Sequence, residues 1–142
     1  MSTDVQLNRG LKNIYFQRSG VSHIDGAKGE LSYRGYSIHD LASKSTFEEV
    51  SYLLIYGELP TPPQLAEFDH KLKAARQLPP AVYDIIRAAS AGHPMDVLRT
   101  AVSSLAALEP DSQNVSVDDF IENGIRLTSQ VPMIIAAHEN IR

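Results

Sequence analysis

The chain has 142 residues, of which 43% are apolar and 21% charged, one domain's worth of sequence that can bury roughly two thirds of its unfolded surface. Disordered, collagen-like and low-complexity classes are excluded by that composition. Thirteen basic against 17 acidic residues give a net charge of −4, so there is no basic excess to neutralise phosphates, and nucleic acid and anionic membranes are poor partners.

Cysteine is absent. That removes disulfides, a thiol nucleophile and Cys-based metal sites. Residues 1–10 are polar and lack the apolar stretch of a secretory signal; they are expected to be a flexible N-terminus. The longest apolar run, residues 131–137, falls well short of the ~20 residues of a membrane span. A soluble, cytoplasmic protein is the expectation.

From Leu11 to Gln17 the chain carries Ile14, Tyr15 and Phe16, a β-prone cluster that reads as extended. Val21 to Asp25 and Glu30 to Arg34 are short strand candidates, joined by Gly26-Ala27-Lys28-Gly29, a connection suited to a hairpin. A phosphate cradle would need a fuller glycine spacing and a helix after it, and neither is present.

Helical patterning begins at Ser37, which reads as the N-cap of a short helix over Ile38 to Ser43. Thr46-Phe47-Glu48-Glu49 has the form of a capping box. Phe47, Val50, Leu53 and Leu54 then share one face, and Gly57 supplies a left-handed stop. Thr61-Pro62-Pro63-Gln64 starts the next helix, with Pro at the first helical position. Its inner stripe is Leu65, Phe68, Leu72 and Ala75. After Leu78-Pro79, a helix over Pro80 to Ala91 presents Val82, Ile85, Ile86 and Ala89, and Gly92 ends it.

His93-Pro94 opens another helix, whose main stripe is Leu98, Ala101, Val102, Leu105 and Leu108. Its back is small: Ser103, Ser104, Ala106 and Ala107. Two readings fit such a helix. One is burial inside the domain. The other is a subunit interface of paired helices, a surface that symmetric oligomers use, with Leu98, Ala101, Val102 and Leu105 as the contact residues.

Glu109 to Val115 reads as a loop, and Ser116-Val117-Asp118-Asp119 as the cap of a further helix. Phe120, Ile121, Ile125 and Thr128 are expected to point inward. Pro132 should kink or end that helix near Gln130, since an interior proline costs about 3 kcal/mol. Beyond it, residues 131–137 are apolar all round, the pattern of a fully buried helix. The pattern runs almost to Arg142 without a terminator, which suggests packing partners in further sequence.

Five histidines occur, His23, His39, His70, His93 and His138, with no zinc-type spacing among them. His39 and His70 read as surface or capping residues, His23 as structural, and His93 as a helix-start residue acting through backbone contacts. No G-x-S-x-G elbow, Walker loop or dinucleotide fingerprint is present. The residues alone give a mostly helical domain with no complete catalytic constellation and no metal or cofactor site.

Several stretches taken together go further. Ser22-His23-Ile24-Asp25-Gly26 through Gly29, followed by Leu31-Ser32-Tyr33-Arg34-Gly35-Tyr36-Ser37-Ile38-His39-Asp40-Leu41-Ala42, resembles the N-terminal hairpin and first helix of citrate synthases. Phe47 to Thr61 resembles the next helix and its exit, and His93-Pro94-Met95-Asp96-Val97-Leu98-Arg99-Thr100 to Leu105 is similar to a helix typical of that family.

The resemblance implies a mainly α-helical fold with a small N-terminal β-hairpin, residues 11–142 forming the first portion of a large domain. It also implies a homodimer through helices of this region, which favours the interface reading of residues 94–108. The implied reaction is an acyl transfer at the entry to the tricarboxylic acid cycle: acetyl-CoA, oxaloacetate and water give citrate and CoA, with no metal. In the 2-methylcitrate synthases of the same family, propionyl-CoA replaces acetyl-CoA. An aspartate base removes the proton α to the thioester carbonyl, one histidine stabilises the enol, and another protonates the ketone. Family members are more than twice as long as this chain, and none of its five histidines sits in the motifs that carry those groups. No catalytic residue is therefore assigned here. The expectation is an N-terminal fragment, inactive alone. A natural short interaction module, or one subunit of a split enzyme, is the alternative.

Overall fold

A computed structural model describes Gly10, Ile14, residues 17–108 and residues 116–142. The expected extended segment 11–17 and the loop 109–115 lie largely or wholly outside the described residues. The chain divides into two compact units, Met1–Leu59 and Pro60–Arg142. Among the described residues there are six helices and one three-stranded sheet, a mainly α fold as the sequence predicts.

The first unit holds β1 (Ser22–Asp25), β2 (Glu30–Tyr33), β3 (Tyr36–Ser37), α1 (Ile38–Lys44) and α2 (Phe47–Tyr56). The sheet is antiparallel in the order β1-β2-β3, with Ile24 opposite Leu31 and Tyr33 opposite Tyr36. β3 was not evident in the sequence. It exists because Arg34 and Gly35 both take positive φ, 49° and 89°, the two-residue connection whose twist suits a tight hairpin. The Ser37 hydroxyl accepts from His39 N–H and starts α1.

The capping box of α2 is complete. Thr46 Oγ1 accepts from Glu49 N–H at 3.2 Å, and the Glu49 carboxylate accepts from Thr46 N–H at 2.7 Å. Gly57, at φ 95°, ends the helix and donates to Leu53 O. Leu53 is fully buried, but Phe47 is 66% exposed. It is the first residue of α2, where the helix face that buries Leu53 is not yet covered.

The second unit holds α3 (Pro62–Ala74), α4 (Pro80–Ala88), α5 (Pro94–Ala107) and α6 (Val117–Ile141). Helix α6 packs on α3, α4 and α5, and α4 packs on α5. The largest core joins Leu78, Val82, Ile86, Val97, Ala101, Leu105 and Ile134. Phe68 and Leu72 of α3 are buried as their spacing predicts.

Of the two outcomes expected at Pro132, a kink or an end, α6 does not take the second. It runs unbroken over 25 residues with Pro132 inside it. The buried residues Ile125, Ser129, Gln130, Ile134 and His138 form one stripe on both sides of the proline, and Pro132 itself is exposed. Packing on both flanks outweighs the one main-chain bond that proline cannot make, a cost of about 3 kcal/mol. The stripe also leaves Phe120 64% and Ile135 53% exposed. Phe120 therefore does not point inward, and residues 131–137 are not buried on every side within this chain.

Candidate functional site

The five histidines are dispersed. His23 lies on β1, His39 on α1 and His70 on α3, all exposed. His93 caps α5: its Nδ1 accepts from Met95 N–H at 3.2 Å, so Nε2 carries the proton when the ring is neutral. This is the backbone role the sequence indicates. His138 alone is buried, with Nε2 3.2 Å from the carbonyl of Ser90, and it ties α6 to the end of α4. No group of three or more His, Cys, Asp or Glu residues able to hold a metal occurs among the described residues.

The α5 stripe divides. Ala101 is fully buried and Leu105 is 8% exposed, both inside the core of the second unit. Leu98 and Val102 are half-buried at its edge. Val97, one turn before Ala101, is buried, whereas Leu108 is exposed. The i, i+4, i+8 series 97, 101, 105 carries the core. Starting the stripe at Leu98 missed Val97, although its spacing from Ala101 was available in the sequence.

Beside this stripe lies an open cavity of about 640 Å³ between the α3–α4 connection, α5 and α6. Leu78, Val102, Leu105, Ala106 and Leu127 give it an apolar wall. Its polar side is internally engaged. Gln130 Nε2 donates to Gln77 O at 3.2 Å, and Arg126 Nη2 donates to Asn123 Oδ1 at 2.7 Å. Gln130 and His138 are buried polar groups on α6 that periodicity did not single out. The cavity brings no acid–base pair together. It offers apolar surface, which suits packing rather than proton transfer.

The ionisable pair with a resolved perturbation is on α1. Lys44 Nζ donates to Asp40 Oδ1 at 2.7 Å. That hydrogen bond, and then the charge behind it, holds the Asp40 carboxyl below its ordinary value and the Lys44 ammonium above its own. Both groups are on the solvated surface, as an i, i+4 helix pair commonly is.

No helix among the described residues is long and apolar enough to cross a membrane.

Comparison with known proteins supplies what the side chains alone do not. Residues 10–142 match the family model described as citrate synthase, C-terminal domain. The citrate synthase of Acidithiobacillus ferridurans is 40% identical over 139 residues, 94% of this chain and 36% of that protein. The 2-methylcitrate synthase 1 of Corynebacterium glutamicum is 37% identical over 135 residues, 94% of this chain and 35% of that protein. The fold is similar to the crystal structure of citrate synthase from Pyrobaculum aerophilum, with a TM-score of 0.86 and 35% identity over 93% of this chain and 35% of that one. It is equally similar to the Thermoplasma acidophilum citrate synthase in ternary complex with carboxymethyl coenzyme A and oxaloacetate, with a TM-score of 0.86 and 26% identity over 96% of this chain and 37% of that one. The chain thus spans about a third of the length of the relatives it matches. Over nearly all of its own length, in sequence and in fold, it belongs to the citrate synthase family.

Proposed function

We propose that this chain supplies the helical scaffold of an enzyme that condenses acetyl-CoA with oxaloacetate and water to give citrate and CoA, a cytoplasmic acyltransferase at the entry to the tricarboxylic acid cycle. The observation that carries this reading is the match over residues 10–142, together with the likeness to a citrate synthase structure that holds a CoA derivative and oxaloacetate. Within the second unit, packing of α3 to α6 makes a frame rather than a reaction centre. The proton transfers of such a condensation need positioned acid and base groups, and the described residues bring no such pair together. The 142 residues alone are therefore inactive in this reading, and the reacting groups belong to the remaining two thirds of the enzyme.

The enzyme acts as a homodimer, with α5 beside the partner subunit. Because Ala101 and Leu105 are committed to the core, the contact runs through the half-buried Leu98 and Val102 and the apolar wall next to them.

A chimaera tests the reading. Residues 10–142 would replace the matching third of the Acidithiobacillus ferridurans enzyme, with CoA release from acetyl-CoA and oxaloacetate as the readout. Turnover by the chimaera and none by the isolated chain are expected. A folded chimaera without turnover would overturn the proposal. The similarity to a 2-methylcitrate synthase supports a second reading, with propionyl-CoA as the acyl donor, and assay of the whole enzyme, not the chimaera, with both thioesters separates the two.

A further inference from the structure

The β1–β2 connection holds the sequence Asp25-Gly26, and three polar groups converge on the Asp25 carboxylate beside an open glycine. Asp25 Oδ1 accepts from the main-chain N–H of Ala27 and of Lys28, at 3.1 Å each. Lys28 Nζ lies 3.5 Å from Oδ2. Gly26 is exposed, and nothing lies within 4 Å of where a Cβ would sit on it.

We propose that Asp25 rearranges spontaneously to isoaspartate in the folded protein. The amide nitrogen of Gly26 attacks Asp25 Cγ and forms a five-membered imide. The N–Cγ bond forms first, giving a tetrahedral intermediate, and the Cγ–Oδ2 bond breaks as that intermediate collapses. The oxygen leaves as water with two protons, one from the Gly26 amide and one from the Lys28 ammonium, which regains its own from solvent. Negative charge develops on Oδ1 in the tetrahedral intermediate, where two N–H donors already point. Water then opens the imide. Addition at Cγ restores aspartate. Addition at the former main-chain carbonyl breaks its bond to the Gly26 nitrogen and leaves the chain running through Cβ and Cγ, with a free α-carboxylate.

The fold singles out this residue. Among the described residues, Asp40, Asp69, Asp84, Asp96, Asp118 and Asp119 all lie in helices, and each is followed by a residue with a side chain. Asn123-Gly124 is the instructive contrast. In an unstructured chain, an Asn-Gly pair forms the imide faster than Asp-Gly. Here it lies inside α6, where the regular ladder commits the glycine amide and fixes the dihedrals. The fold therefore inverts the chemical order of the two sites. The product at Asp25 would add one carbon to the main chain beside the Asp25–Glu30 pair that closes the hairpin, and would remove the acceptor held by Ala27 and Lys28.

Ageing the full chain at neutral pH, followed by tryptic mapping of the peptides covering residues 19–28 and 100–126, tests the proposal. Isoaspartate is scored by fragmentation across the altered bond and by a retention shift, at unchanged mass for Asp25 and with the mass gain of deamidation for Asn123. In the native chain the product at Asp25 should exceed that at Asn123, and in concentrated urea the order should reverse. Gly26→Ala has room for its methyl group and no left-handed φ to strain. It should keep the melting temperature and slow conversion at Asp25 about tenfold, equivalent to ~1.4 kcal/mol in the barrier. The same order of products in native and denatured chain would overturn the proposal, as would unchanged conversion in a folded Gly26→Ala variant.

Discussion

Arg34 reaches from the β2–β3 turn to the end of α2, where its Nη2 donates to the main-chain carbonyl of Leu54 at 3.0 Å. The contact joins two unusual features. Arg34 is the non-glycine residue with positive φ among those described, a conformation that disfavours a side chain. Leu54 O is one of the last carbonyls of its helix, which lack partners within the helix and attract a cation. Buried Nε has no acceptor among the described residues, so the side chain is held in place at some cost. Arg34→Ala should lower stability by about 1–2 kcal/mol, as expected for a charge-assisted hydrogen bond. Arg34→Lys should recover only part of that, because it lacks the planar fork. Urea denaturation of the three proteins measures both, and equal stability of all three would show that the contact contributes nothing.

On α5, two neighbouring substitutions should behave differently. Leu105→Ala removes core volume and should cost about 2–4 kcal/mol of stability. Val102→Lys changes a half-buried residue at the edge of the core and should cost about 1 kcal/mol. In the proposed dimer it also sets an unpaired charge against the partner, so it should shift a sedimenting dimer to monomer while the helical circular dichroism persists. If parent and variant sediment alike, α5 is not the contact surface.

Pro132→Ala should stabilise the chain. The substitution restores the amide that can donate to Thr128 O, in a helix already continuous through that position, and proline is about 3 kcal/mol worse than alanine in a helix interior. A gain of about 1–3 kcal/mol in urea denaturation is expected, with slow hydrogen exchange at the new amide. A loss of stability would mean that the missing bond serves the packing of α6.

The Asp40–Lys44 pair gives a pH dependence of known sign. Asp40 is held low, so its contribution to stability is present above the unfolded carboxylate value and lost as pH falls through the folded one. Lys44 is held high, so its contribution is present below the ordinary lysine value and lost as pH rises through the folded one. Carbon-detected NMR should find Asp40 titrating below an ordinary aspartate. Lys44→Gln should move that midpoint up, and added salt should shrink the difference.

Local chemistry was the legible part of this protein. The Thr46–Glu49 box and the Ser116 cap depend on residues three apart, and both form as the sequence predicts, the second as a full box with Asp119. Features decided by distant neighbours were not legible. Phe47 and Phe120 fit an inward stripe by periodicity, yet both sit in the first turn of their helices and stay exposed. Pro132 reads as a breaker from its own chemistry, whereas the packing of Ile125 and Ile134 around it decides the outcome. The third strand needed Arg34 in a backbone state that its side chain does not advertise. On α5 the pattern identifies an apolar stripe but cannot distinguish an internal neighbour from an external one. Ala101 and Leu105 face the first, and Leu98 and Val102 lie at the boundary.

Ile134 is the fully buried member that α6 contributes to the core of Leu78, Val82, Ile86, Val97, Ala101 and Leu105. A chain made from its N-terminus can pair α4 with α5 early, because their contacts are close in sequence. The site that Ile134 fills then stays open, as greasy surface, until α6 has been synthesised. During that interval the growing chain is at its most adhesive. Synthesis rate and chaperone supply should therefore govern how much soluble protein is recovered, and slowing translation after residue 108 should lower that yield.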